Sequence, residues 1–222
     1  MTIYIVGGSP AASRPLGLNP GPGDRVIAAD RGAAHARAWG WPVHLLVGDL
    51  DSLPPADADA LAAAGVPVQR VPAEKDDTDL ELALAHALAE DVQPIVICAV
   101  LGGRADHLLA NVLLLARPDL TGRDIMLADG PETIRLLAAP GPDGAPAHLA
   151  LSGAAGDLLT LLPLGADAEG VSTDGMYYPL AGETLYEGRA RGVSNVFAGP
   201  YARVTLRRGR LLVIQTAVQD SR

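Results

Sequence analysis

The run Pro94-Ile95-Val96-Ile97-Cys98-Ala99-Val100 is apolar throughout, so a strand built from it has two faces to keep from water. Such a strand belongs in the middle of a parallel sheet with helices on both sides. The surrounding sequence repeats the pattern. Apolar, β-rich runs recur at Ile3–Val6, Arg25–Ala29, His44–Val47, Val68–Val71 and Asp124–Ala128, with helical stretches between several of them. That alternation predicts a parallel sheet flanked by helices. The clearest helix begins near Thr78. Leu80, Ala83, Leu84, Ala87 and Leu88 share one stripe, and Thr78-Asp79-Leu80-Glu81 reads as a capping box. A second helix is expected from about Asp106 to Ala116, with Leu109, Val112, Leu113 and Ala116 turned inward. Arg14–Asp24, rich in Pro and Gly, reads as a surface loop.

The texture changes after Leu137. Residues 139–146 are poor helix and strand formers and read as a linker. Short strand-like runs follow at Leu158–Leu162, Gly170–Thr173, Met176–Leu180, Val193–Phe197, Ala202–Leu206 and Leu211–Thr216, with Arg208-Gly209 as a hairpin signal between the last two. The expected fold class is therefore α/β over residues 1–137, then a small all-β domain, a sandwich or partial barrel, over residues 138–222.

Composition narrows the function classes. A net charge of −9 argues against general nucleic-acid binding, which needs Lys and Arg to neutralise phosphates. The lone Cys98 sits inside the buried run, so a structural thiol is expected. No apolar stretch approaches membrane-spanning length, and the strand-like start at Thr2 follows no basic or long apolar leader. A cytoplasmic location is expected.

Ligands of an α/β sheet sit beyond the carboxyl ends of its strands, where this sequence puts its acidic and glycine-rich loops. Asp49 and Asp51 follow the strand His44–Val47 two positions apart, which suits a hard divalent cation held with waters and substrate phosphates. The same residues also suit a helix cap or a turn. In Glu74-Lys75-Asp76-Asp77-Thr78-Asp79, the last three residues suit a helix N-terminus. Asp76 is then left over as a metal ligand, and Lys75 either contacts a phosphate or stays solvated. Gly102-Gly103-Arg104-Ala105-Asp106-His107 follows the strongest strand, and its glycines allow close approach to a phosphate that Arg104 could pair. It is not a Walker A loop, and Asp106 equally fits a cap and His107 a structural hydrogen bond. Gly7-Gly8-Ser9 offers a similar turn. Asp30 fits either the same edge or a cap for a helix over Arg31–Trp39.

Taken in order, Ala29-Asp30-Arg31-Gly32-Ala33, Val47-Gly48-Asp49-Leu50-Asp51-Ser52, Lys75-Asp76-Asp77-Thr78-Asp79-Leu80 and Gly102-Gly103-Arg104-Ala105-Asp106-His107 resemble the thiamine pyrophosphokinase family. Gly170-Val171-Ser172-Thr173, Gly175-Met176-Tyr177-Tyr178-Pro179-Leu180 and Gly192-Val193-Ser194-Asn195 extend the resemblance over nearly the whole chain. It implies a Rossmann-like α/β domain, a C-terminal β-sandwich, a homodimer with thiamine near the subunit interface, and transfer of the ATP diphosphoryl group to thiamine. It further implies Asp49, Asp51 and Asp76 as Mg²⁺ ligands, with Thr78 and Asp79 organising metal and phosphates. Asp30, Gly102, Gly103, Arg104, Asp106 and His107 would line the ATP site, with Ser194 and Asn195 on thiamine. Tyr177 or Tyr178 could stack on its cationic ring. Arg31, Ala34, Glu74 and Tyr177 depart from the family's common residues, and Arg31 and Tyr177 bear on substrate detail. A diphosphokinase for another alcohol such as a hydroxymethylpterin, a non-catalytic nucleotide or thiamine sensor, and a Mg²⁺-dependent phosphohydrolase are the alternatives.

Overall fold

In the computed structural model, which describes residues 1–72, 74, 76–141 and 144–218, every residue of Ile95–Cys98 is buried in a strand, β5. It pairs in parallel with β1 (Ile3–Val6) on one side and β6 (Ile125–Asp129) on the other, in the registers Ile3↔Ile95 and Ile95↔Ile125. From the far edge of β1 the sheet continues, still parallel, through β2 (Arg25–Ala29), β3 (Leu45–Gly48) and β4 (Val68–Arg70), giving the order β6-β5-β1-β2-β3-β4. The chain builds outward from β1 to β4 and then restarts beside β1 with β5. Strand order thus reverses between β1 and β5, which opens a crevice at their carboxyl ends.

This sheet and helices α1 (Gly32–Ala38), α2 (Pro55–Ala63), α3 (Asp79–Ala89) and α4 (Ala105–Leu114) form one unit, residues 1–114 with 123–130. α3 starts where its capping box requires: the Glu81 N–H donates to Thr78 Oγ1 at 3.2 Å, and the Thr78 N–H donates to Glu81 Oε2 at 2.9 Å. Its expected inner stripe is buried at Leu80, Ala83, Leu84 and Ala87. α1 lies directly on β1, since a Cβ at Gly32 would meet the Val6 carbonyl oxygen at 1.8 Å.

α4 departs from expectation. Leu109 and Leu113 are 57% and 51% exposed, and within the helix only Leu114 is buried. The reason is polar: Asn111 Nδ2 donates to the Val100 carbonyl at 2.8 Å, which turns the Asn111 side of the helix toward the sheet. Periodicity finds an apolar stripe but cannot see a hydrogen bond that rotates it.

The second unit, residues 115–122 with 131–222, contains two antiparallel sets of strands. One has the order β12-β9-β14-β7, from β7 (Glu132–Ala139), β9 (Leu158–Pro163), β12 (Asn195–Val196) and β14 (Gly209–Thr216). The other has the order β11-β10-β13-β8, from β8 (Ala147–Ser152), β10 (Ala168–Asp174), β11 (Ala181–Leu185) and β13 (Tyr201–Leu206). Alternate residues of both sets, among them Leu137, Leu161, Val171, Leu185, Val204 and Val213, share one core around Phe197.

Four details differ from the sequence reading. The chain divides between Gly130 and Pro131, and Leu137 lies inside β7, paired with Leu211. The expected linker joins β7 to β8 within one unit, and its Pro142 and Asp143 lie outside the described residues. Met176–Leu180 is not a strand beyond a single bridge from Met176 to Phe197, and β11 begins at Ala181. Arg208-Gly209 makes no hairpin, because β13 pairs with β8 and β10 whereas β14 pairs with β7 and β9. The chain is thus mixed α/β with few helices. No helix among the described residues is long and apolar enough to cross a membrane.

Candidate active site

At the carboxyl edge of the parallel sheet the loops enclose an open cleft of about 630 Å³. β1 contributes Gly7 to Pro10, β2 contributes Asp30 and Arg31, and β3 contributes Asp49, Asp51 and Ser52. Thr78 and Asp79 enter from the start of α3, Gly102 and Arg104 from the loop after β5, and Asp106, His107 and Asn111 from α4. The cleft lies where strand order reverses.

Its acidic centre comes from two neighbouring strand ends and the start of α3. Asp30, Asp49 and Asp79 each place a carboxylate oxygen within 4.8 Å of the other two. Asp30 follows β2 in the left-handed region at φ 45°, its N–H bonded to the Val47 carbonyl at 2.8 Å. The room for this comes from Gly48, where a Cβ would lie 3.0 Å from the Asp30 Cβ. Asp30 is 8% exposed, and its Oδ1 has no hydrogen-bond partner among the described residues. Desolvation raises its pKa, with the charges of Asp79 and Asp51 adding, against the opposing pull of Ser52 and the Arg31 N–H. It caps no helix, because α1 starts at Gly32 with Arg31 before it.

Asp49 and Asp51 are not helix caps either, since Pro54 precedes α2. They do form a turn. Asp49 Oδ1 accepts the Asp51 N–H at 3.1 Å, Leu50 between them takes φ 64°, and Ser52 Oγ donates to Asp51 Oδ1 at 2.8 Å. The turn leaves Asp49 in the carboxylate group and Asp51 on the cleft wall. Asp76 is exposed and does not line the cleft, and it does not join the converging carboxylates. Lys75 lies outside the described residues.

After β5, Gly102 and Gly103 take consecutive left-handed conformations, φ 78° and 73°. Gly102 faces the cleft, and Gly103 packs toward Pro10 instead. Arg104 forks onto Asp106, Nε to Oδ1 at 3.1 Å and a terminal nitrogen to Oδ2 at 2.6 Å. Asp106 also accepts the His107 N–H, and these contacts, Arg104 first, hold its carboxyl down to about 2. Asp106 lies within the first turn of α4 and does not precede it. Cys98 is buried, and desolvation with the nearby Asp129 charge pushes its thiol upward, away from reactivity.

The remaining expected residues belong to the second unit. Asn195 is occupied by the backbone of Tyr178: its Nδ2 donates to the Tyr178 carbonyl at 2.7 Å and its Oδ1 accepts the Tyr178 N–H at 3.1 Å. Ser194, at φ 57°, donates its N–H to Thr160 Oγ1. Tyr177 and Tyr178 are exposed and meet edge to face, with ring centroids 4.8 Å apart.

Sequence reasoning placed Ser9 in a phosphate-approaching turn but gave no role to Ser52 or Asn111, which also line the cleft. Asn111 stands one helical turn after His107, a spacing that puts both on one face and could have found it.

Comparison with known proteins agrees with this geometry. A family profile described as "Thiamin pyrophosphokinase, catalytic domain" matches residues 23–127, and one described as "Thiamin pyrophosphokinase, vitamin B1 binding domain" matches residues 148–211. A thiamine pyrophosphokinase of Bacillus subtilis is 28% identical over 169 residues, 76% of each chain. The crystal structure of thiamine pyrophosphokinase from Bacillus subtilis superposes with a TM-score of 0.86 at 26% identity, covering 99% of this chain and 100% of that one. A thiamin pyrophosphokinase family protein from Enterococcus faecalis gives a TM-score of 0.82 at 28% identity, with 99% and 100% covered. Both profiles fall on this chain in order, one on each unit's strands, and the chain belongs to the thiamine pyrophosphokinase family.

Proposed function

We propose that the cleft binds ATP with Mg²⁺ and delivers the terminal diphosphoryl group of ATP to the hydroxyl of thiamine, releasing AMP. The convergence of Asp30, Asp49 and Asp79 carries the assignment. A buried carboxylate oxygen with no partner beside two further carboxylates is costly unless a cation joins them. An all-oxygen donor set suits a hard cation such as Mg²⁺. Asp30, Asp49 and Asp79 would hold it, with Asp51 alongside. Once bound, Mg²⁺ neutralises phosphate charge and favours attack at the β-phosphorus.

The chain's own groups do the rest by positioning and electrostatics. The Gly7-Gly8 and Gly102 backbones let phosphate oxygens approach closely. Arg104 has five N–H donors, so its fork onto Asp106 leaves donors for phosphate. The alcohol proton leaves to a carboxylate of the same group, Asp79 or Asp30. In the second unit, the exposed faces of Tyr177 and Tyr178 suit a cationic thiazolium ring. Asn195 serves by holding the Tyr178 backbone, and Ser194 lies next to it in sequence. In the same assignment the first unit is a Rossmann-like catalytic domain. The second is a β-sandwich that binds thiamine and joins two copies of the chain into a cytoplasmic homodimer, with exposed Tyr186 and Tyr201 suited to a covered surface.

The test is purified protein with ATP, Mg²⁺ and thiamine, following AMP and thiamine diphosphate together. Equal yields are expected, with no AMP when thiamine is omitted. Asp49→Asn should lower turnover about 10²-fold or more while leaving the fold intact. ATP consumption without thiamine diphosphate, or near-normal turnover in Asp49→Asn, overturns the assignment.

A further inference from the structure

Asp129 ends β6 and is only 7% exposed, a carboxylate that the chemistry above does not use. Burying such a group is costly unless its oxygens are hydrogen-bonded. They are committed to two loops distant in sequence: Oδ1 accepts the Ser13 N–H at 2.6 Å and Oδ2 accepts the Leu101 N–H at 3.4 Å. Ser13 belongs to the segment after β1, and Leu101 immediately precedes Gly102-Gly103-Arg104. Two further bonds hold the same stretch. Ser9 Oγ donates to the Leu101 carbonyl at 2.6 Å, and Asn111 Nδ2 donates to the Val100 carbonyl at 2.8 Å. The backbone behind the glycine pair is therefore gripped at the Val100 oxygen, the Leu101 nitrogen and the Leu101 oxygen.

The glycine pair makes that grip necessary. Two consecutive left-handed glycines adopt their conformation at little steric cost and impose none on their neighbours. Arg104 is anchored from the α4 side, its carbonyl accepting the Leu108 N–H at 3.0 Å and its guanidinium forked onto Asp106, so the placement that the glycine pair inherits from Leu101 is that of its own backbone.

We infer that Asp129 is a positioning residue for the phosphate-binding loop, gripping the Leu101 N–H so that the Gly102 backbone meets ATP in one arrangement beside the Arg104 that α4 holds, with Ser9 completing the grip. The role rests on the assignment of the cleft as the ATP site. It also explains the residue type. Two N–H donors arriving from separate loops need two acceptors, which a carboxylate has. An asparagine offers one acceptor and turns its own donor toward the other N–H, leaving it buried and unpaired.

The experiment compares the full-length wild-type chain with Asp129→Asn and Ser9→Ala, at a temperature where circular dichroism shows each folded. It records ATP and thiamine saturation curves and hydrogen exchange at the Leu101 amide. In Asp129→Asn the Leu101 amide should exchange about tenfold faster or more. In both variants kcat/KM for ATP should fall about 10- to 100-fold while KM for thiamine stays within about twofold. A merely structural role would soften both substrates' parameters together, and that parallel loss overturns the inference, as does unchanged ATP kinetics in a folded variant. If Asp129→Asn does not fold, Ser9→Ala decides by faster exchange at the Leu101 amide together with the kinetic criterion, because Ser9 itself lines the cleft. A wild-type chain that forms no AMP overturns the ATP-site assignment, and Leu101 exchange then decides whether Asp129 grips the loop at all.

Discussion

Replacing Gly48 by alanine should damage the carboxylate group from behind, without touching an acid. Gly48 ends β3 at φ 154°, and a Cβ there would lie 3.0 Å from the Cβ of Asp30, 3.2 Å from its Cα and 3.3 Å from its nitrogen. Carbon atoms rest at about 3.5–4.0 Å, so the new methyl must displace Asp30 by roughly half an ångström. No flexible side chain can yield, because two of the three opposing atoms are backbone and Asp30 already sits at φ 45°. Two costs add: about 1–3 kcal/mol for alanine in a conformation that glycine alone adopts readily, and about 1–3 kcal/mol for overpacking. Together they make about 2–6 kcal/mol, and at about 2–4 °C per kcal/mol for a chain of this size Tm should fall by roughly 4–24 °C. Turnover measured well below that Tm should fall about 10²-fold, because Asp30 no longer meets Asp49 and Asp79. Gly40→Ala is the control, at φ 72° with nothing within 4 Å of the added Cβ. It should cost about 1–2 kcal/mol of left-handed strain and leave turnover intact. Thermal melts and AMP release on the two variants provide the comparison. A Gly48→Ala protein that is as stable as wild type, or destabilised but fully active while folded, would refute the claim that Gly48 sets the position of Asp30.

Thr78→Ala removes the acceptor for the Glu81 N–H and should cost about 1 kcal/mol. Thermal melts should show this as a fall of about 2–4 °C in Tm. Carbon-detected NMR should find Asp106 titrating near about 2, well below ordinary carboxylates, with Arg104→Ala moving it upward. Because its folded pKa is depressed, the stabilisation from this pair is present above the ordinary carboxylate range and is lost as pH falls through the folded value.

What the sequence disclosed, and what it concealed, divides along one physical line. Ile95–Cys98 and the Thr78–Glu81 box were legible because their causes are local: continuous apolarity demands a central strand, and a hydroxyl three residues before a glutamate demands a helix start. Leu109 and Leu113 misled because the face of α4 is chosen by Asn111 bonding to Val100, a partner in another element. Arg208-Gly209 misled for the same reason, since its turn chemistry is genuine but its flanking strands pair in different sets. The candidate cation group shows the rule at the site. Asp76 lies beside Thr78 along the chain, yet Asp30 and Asp49 meet because β2 and β3 are sheet neighbours, paired at Ala29↔Val47. Pairing order brings Asp30 to Asp49, and the start of α3 adds Asp79 and not Asp76, a choice that the acidic segment read alone does not carry. Pairing order does, however, leave one local trace. Asp30 directly follows β2 and Asp129 ends β6, strands with almost no exposed residue, and both side chains are buried. A carboxylate buried directly at the end of such a strand is costly until its oxygens find partners in the protein or in a ligand. The Ser13 and Leu101 N–H groups meet that demand for Asp129, whereas at Asp30 Ser52 and the Arg31 N–H leave Oδ1 without a hydrogen-bond partner among the described residues, the opening that the proposed Mg²⁺ would fill.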